Sequence, residues 1–82
     1  MLPNRNSQVR VRANFDGEVE VLVTVGDRIH AGQALVVIEG DKEIERLASR
    51  NPGAVTEVHV RTGEDVRQGA LLVVVQEIPE EN

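Results

Sequence analysis

The sequence predicts an all-β domain, a flattened barrel or sandwich of two quasi-symmetric antiparallel sheets. Three observations carry that expectation. The chain repeats itself once, its apolar residues fall in short runs of strand length, and glycines punctuate those runs at matched positions.

Residues 26–38, GDRIHAGQALVVI, align with residues 63–75, GEDVRQGALLVVV, at a constant offset (63 − 26 = 37). Both copies follow one plan: Gly, an acidic residue, any residue, a β-branched residue, two further residues, Gly, any residue, then an apolar run. Upstream, Phe15-Asp16-Gly17-Glu18-Val19 parallels Asn51-Pro52-Gly53-Ala54-Val55 at a slightly shorter offset (53 − 17 = 36). The second copy therefore carries one more residue between its first two glycines. Two units are too few for a solenoid, which needs about three repeats to bury a continuous core. A pseudo-twofold domain, each half burying the other's apolar face, fits the count.

The elements follow in order. Val9-Arg10-Val11-Arg12-Ala13 and Val19-Glu20-Val21 alternate apolar and polar, as half-buried strands do. Leu35 to Ile38 and Leu71 to Val75 are continuous apolar runs, the pattern of strands covered on both faces. Gly26, Gly32, Gly63 and Gly69 fall between these runs, where turns need backbone freedom. Gly17 and Gly53 read as turn glycines too, the second within the strong signal Asn51-Pro52-Gly53. The polar ends, 1–7 and 78–82, are expected to be disordered tails around a folded unit at 8–77.

One segment pulls the other way. Residues 41–50, DKEIERLASR, have helical composition, with Ile44, Leu47 and Ala48 at helical spacing and Asp41 available as an N-cap. The repeat, however, places Leu47-Ala48-Ser49 where Val11-Arg12-Ala13 stand. A strand is expected, with tertiary context overriding a weak propensity.

Composition narrows the function classes. Eighty-two residues suit a single domain. A net charge of −5 and one aromatic residue, Phe15, argue against nucleic-acid binding, which draws on positive charge and stacking platforms. Without cysteine there are no disulfides, thiolate metal sites or thiol nucleophiles. No segment resembles a signal peptide or a membrane span, the longest apolar run being Ala70 to Val75, so a cytoplasmic location is expected. His30 and His59 stand in different elements without metal-ligand spacing. Carboxylates are plentiful, yet no pair marks a cleft for acid–base chemistry, and the frame is too small to enclose a catalytic pocket beside its core. A non-catalytic role is expected.

Lys42 is the only lysine; every other basic residue that is not histidine is arginine. Either Gly40-Asp41 or Asp41-Lys42 reads as the tip of a hairpin between the strand at 35–39 and the strand after 43. A lysine at such a tip offers an unhindered amine to a large partner. Catalytic lysines need burial to become nucleophilic, and a hairpin tip provides none. The residue suits a substrate of another enzyme. The competing reading is an ordinary solvated turn lysine. Glu39, Glu43 and Glu45 likewise read either as a solvated face or as an acidic footprint for basic partner surfaces.

With these residues in place, the chain from about 9 to 77 resembles the biotinyl/lipoyl attachment domains, whose fold is the barrel-sandwich hybrid. Such domains have two quasi-symmetric halves, each with a Gly-acidic-x-apolar-x-x-Gly segment, and a modified lysine on the hairpin between them. The positions of Gly26, Lys42 and Gly53 match that pattern. The turn Glu39-Gly40-Asp41-Lys42-Glu43 shares Glu, Asp and Lys with lipoyl domains, but only Glu and Lys with biotinyl ones. Gly40 departs from the usual Thr or Ser, and Glu43 from the usual small or apolar residue. The flank Val11 to Gly17 looks more like biotinyl domains.

The resemblance implies a carrier with lipoate bound covalently to Lys42, biotin being the alternative. Glu39, Gly40, Asp41 and Glu43 would form the turn recognised by a lipoate or biotin protein ligase. Lys42 would bear a swinging arm that moves acyl groups or electrons between active sites of a multienzyme complex, 2-oxo acid dehydrogenase-like or glycine cleavage-like. A biotinyl carrier would move a carboxyl group instead. An unmodified interaction or assembly module is the third reading, motivated by Glu43, since a carboxylate beside an amine favours its protonated form.

Overall fold

A computed structural model describes residues 7–78. It contains eight strands and no helix: β1 (Gln8–Arg12), β2 (Gly17–Val21), β3 (Arg28–Ile29), β4 (Ala34–Glu39), β5 (Ile44–Ala48), β6 (Gly53–Val58), β7 (Asp65–Val66) and β8 (Leu71–Glu77). They form two four-stranded antiparallel sheets, ordered β1-β8-β6-β3 and β5-β4-β2-β7. Each order becomes the other when β1 to β4 are exchanged for β5 to β8, so the internal repeat is a spatial one.

The halves are interleaved. In each sheet the two inner strands come from one half and the two outer strands from the other. Paired hydrogen bonds repeat across the exchange. The Gly26 amide donates to the Val55 carbonyl and the Gly63 amide to Val19, both at 2.8 Å; Leu22 donates to Leu35 at 2.9 Å and His59 to Leu72 at 2.8 Å. The acidic residue of the repeated motif has a specific task. Thr24 N–H donates to Asp27 Oδ2 and Arg61 N–H to Glu64 Oε1, each at 3.0 Å, so each carboxylate closes the turn that its glycine makes possible.

Those glycines carry the positive φ that the repeat anticipated: Gly26, Gly32, Gly63 and Gly69 lie between +86° and +96°. Gly17 and Gly53 differ from expectation. They open strands β2 and β6 rather than sit in turns. Glycine is required at Gly17 because a Cβ there would lie 2.6 Å from the Glu39 carbonyl oxygen and 2.8 Å from Ile38 Cγ2. Gly53 meets Gln76 and Val75 in the equivalent way. These positions serve close approach of strands.

The extra residue of the second copy is also located. β2 pairs with β4 without interruption, whereas β6 pairs with β8 through an irregularity between Val55 and Glu57. Thr56 is the inserted residue, bulged out of the ladder as bulges accommodate single insertions. Its hydroxyl donates to the Val74 carbonyl at 3.2 Å.

The core is aliphatic and lies between the sheets, centred on Leu35, Val36, Ile38, Val55, Leu72, Val73 and Val75. Leu72 to Val75 are all buried, as expected for a strand covered on both faces; in β4, Val37 is only half-buried. β1 is less buried than its alternation implies, because it is an edge strand: Val9 is exposed and Val11 half-buried. The segment of helical composition is strand β5, paired with β4 along its length. Its would-be helical stripe is not buried, since Ile44 and Ala48 face solvent and Leu47 alone packs on the core. Cross-strand pairing with β4 supplied what propensity did not.

Of the expected tails, residues 1–6 and 79–82 lie outside the described residues. Ser7 accepts a backbone hydrogen bond from Glu77, and Ile78 donates one to Pro52.

Candidate attachment site at the β4–β5 hairpin

β4 and β5 pair up to Glu39 and Ile44, and the Gly40 amide donates to the Glu43 carbonyl at 2.8 Å. Gly40 and Glu43 therefore close the ladder, and Asp41-Lys42 is the tip. This resolves the two tip registers that the sequence left open. Two-residue hairpins commonly use primed turns with positive φ, but no described non-glycine residue has positive φ. Asp41 and Lys42 thus turn without positive φ, so neither tip position demands a glycine.

Lys42 is exposed, and its ammonium makes no hydrogen bond or ion pair among the described residues. Asp41 and Glu43 are exposed as well. Among the described residues neither carboxylate is bonded to Lys42, and Asp41 makes no side-chain hydrogen bond. Gly40 is half-buried. Glu45, named in the acidic face, points elsewhere: its Oε1 accepts from Asn14 Nδ2 at 2.7 Å.

The tip stands beside an open depression that the sequence did not disclose. Phe15 and Asp16, from the β1–β2 loop, and Asp65, Arg67 and Gln68, around β7, line it together with the hairpin. The two flanking loops are tied to each other, the Gln68 amide donating to Asp16 Oδ1 at 2.7 Å and the Gly69 amide to the Ala13 carbonyl at 2.8 Å. Phe15, partly buried against the core, lies on Gly40. No local signal marks Phe15 as part of this site. The repeat could have done so, because its counterpart in the second half is Asn51.

Other chemistry is not assembled here. No group of three or more His, Asp or Glu side chains could hold a metal among the described residues. His59 Nε2 lies 2.6 Å from Glu57 Oε1 on the surface, and His30 stands apart from it in the β3 turn. No described helix is long and apolar enough to cross a membrane.

A pseudo-twofold sandwich with one exposed lysine at a two-residue hairpin tip defines a small all-β domain that displays this side chain to solvent. Comparison with known proteins gives the particular family. The family model described as biotin-requiring enzyme (biotin/lipoyl) matches residues 8–75. The chain belongs to the biotinyl/lipoyl attachment family.

Among curated relatives, the dihydrolipoyllysine-residue acetyltransferase component of the pyruvate dehydrogenase complex of Cupriavidus necator is 40% identical over 58 residues, 71% of this chain and 10% of that protein. The component of the same name from Mycoplasma genitalium is 36% identical over 63 residues, 76% of this chain and 16% of that protein. The chain thus spans a small part of the relatives it matches. Among solved structures, a single-chain, multi-domain long-chain acyl-CoA carboxylase superposes with a TM-score of 0.80 at 26% identity, covering 98% of this chain and 8% of that one. Kluyveromyces lactis urea carboxylase, at 22% identity, shares the fold with a TM-score of 0.73, over 92% of this chain and 6% of its own.

Proposed function

We propose that this domain is a lipoyl carrier, with lipoate joined to Lys42 through an amide between Nζ and the lipoate carboxyl group. The observation that carries this reading is the placement of Lys42: exposed, unpaired among the described residues, and at the tip of the one hairpin that joins the two halves. The relatives named for a dihydrolipoyllysine residue favour lipoate over biotin, and so does Asp41 beside the lysine.

The residues fit such a group. An amine that must be acylated by a ligase has to lose its proton to the donor's active site, and Lys42 has no bonded carboxylate to resist that step. Glu43 is exposed and forms no ion pair with Lys42 among the described residues, which weakens the case for an unmodified module. When attached, the dithiolane supplies acyl and electron transfer; the protein supplies presentation and partner choice. Tethering raises the effective concentration of the group at each active site within reach. Asp41, Glu39 and Glu43 give the tip an acidic edge that a ligase and partner enzymes of a 2-oxo acid dehydrogenase-type complex would read, chiefly through association rate. Biotin on the same lysine is the second reading, supported by the acyl-CoA carboxylase likeness.

Intact mass decides between them. The domain and its Lys42→Arg variant are produced in cells that lipoylate and biotinylate other proteins. A lipoyl increment on the wild type, absent from the variant, is expected. A biotinyl increment would replace the first reading with the second. No increment, in cells whose own carriers are modified, would remove both.

A further inference from the structure

The two halves allow a separation that most folds do not. Whatever the sandwich itself needs is present twice; whatever the hairpin needs is present once. The positive-φ glycines, the carboxylates that close their turns, the close-approach glycines of β2 and β6, and the buried leucines Leu35 and Leu72 all occur in both halves. Phe15 does not. Its counterpart is Asn51, which reaches Glu77 instead, Nδ2 to Oε2 at 3.0 Å.

Phe15 is the chain's single aromatic residue, and its ring lies beside the one half-buried residue of the hairpin turn. A Cβ built on Gly40 would sit 3.0 Å from Phe15 Cδ1 and 3.1 Å from Cε1, so ring and glycine backbone are in direct contact. On the same side the Asp16 carbonyl would be 2.9 Å away. The loop that carries Phe15 is itself anchored at three points: Asn14 to Glu45 on β5, Asp16 to the Gln68 amide, and Ala13 to the Gly69 and Ala70 backbone. Glycine at 40 is favoured by the Asp16 carbonyl and the ring together, and the loop that carries the ring is held by bonds to β5 and to the β7–β8 loop.

We infer that Phe15 is a positioning residue for Lys42: it clamps the Gly40 backbone so that the tip meets a modifying enzyme in one orientation. The contact grips the stem of the turn and leaves Asp41 and Lys42 free. A tip that samples several orientations is competent only for part of the time, and the apparent affinity of a partner falls by that fraction. The role rests on the attachment reading, although the clamp itself does not.

Two measurements on the full chain test it. Hydrogen exchange at the Gly40 amide reports opening of the turn, because that amide bonds Glu43; exchange at the buried Val55 amide, bonded to Asp27 at 2.9 Å, reports unfolding of the core. Kinetics with lipoate, ATP and a lipoate-protein ligase report presentation. In Phe15→Ala, Gly40 exchange is expected to rise about tenfold more than Val55 exchange. The ligase KM for the domain should rise severalfold with kcat within about twofold, and Phe15→Leu should recover most of both. Equal rises at Gly40 and Val55 would make Phe15 a core residue only and overturn the clamp. So would unchanged exchange, and an unchanged KM would overturn the role in presentation. If the wild type takes no lipoate while a control domain does, the attachment reading fails, and the exchange data still decide the clamp.

Discussion

The amide of Gly26 donates to the carbonyl of Val55 across 2.8 Å, joining a turn of the first half to a strand of the second. Gly63 and Val19 make the same bond in the opposite sense. Every sheet is built from both halves, so neither half has a sheet of its own. Peptides 1–41 and 42–82 should each give the circular dichroism of an unfolded chain, and their mixture should recover β structure. One peptide folded alone would show that the interleaving is dispensable.

Leu35 and Leu72 are both wholly buried and occupy equivalent positions on β4 and β8. Truncating either to alanine removes the same contacts and leaves a cavity, at a cost of about 2–5 kcal/mol. Urea denaturation should show the two losses matched to within about 1 kcal/mol, the spread expected for similar environments. A large inequality would mean that the halves share topology without sharing packing.

Gly69 has φ +91° and nothing within 4 Å of a built Cβ. A Cβ at Gly69 therefore meets no clash, and the cost expected for Gly69→Val is chiefly backbone strain, about 1–3 kcal/mol. In a domain of this size each kcal/mol lowers Tm by about 4–8 °C. An unaltered melting curve would contradict the strain assignment.

Thr56 is absent from the first half, where β2 and β4 pair without a bulge. Deleting Thr56 gives β6 the residue count of β2 and should yield a folded protein with an uninterrupted β6–β8 ladder. Amide chemical shifts of Val55 to Val58 should change while those of β2 and β4 hold. An unfolded product would assign the bulge a structural task beyond accommodating one residue.

Lys42 contributes an exposed side chain with no bonded partner among the described residues. Lys42→Arg should leave stability within about 0.5 kcal/mol, as surface substitutions usually do. Thermal denaturation checks this, and the result separates loss of modification from loss of fold. A clearly lower Tm would reveal a structural contact of the ammonium.

Much of this architecture was legible in the chain. The spacing of Gly26, Gly32, Gly63 and Gly69 announced both the turns and the repeat, because positive φ is a local steric demand that glycine meets at low cost. The runs at 35–38 and 71–75 marked the central strands. Lys42 was legible by its singularity and its place between Gly40-Asp41 and Glu43. Gly17 and Gly53 were recognised as special for the wrong reason, since what they accommodate is a neighbouring strand, and nothing adjacent in sequence records that strand.

The sequence by itself determined where the positive-φ turns fall, which apolar runs form the central strands, and that one lysine would lie between two similar halves. These depend on local sterics and on composition. Tertiary structure decided the rest: that residues 44–48 pair as a strand against β4 despite a helical composition, that Asp41-Lys42 forms the tip, and that Phe15 reaches Gly40. The first two outcomes are set by the register of pairing between neighbouring strands and the third by a contact across the fold, and the energy of each exists only once the sheets have assembled.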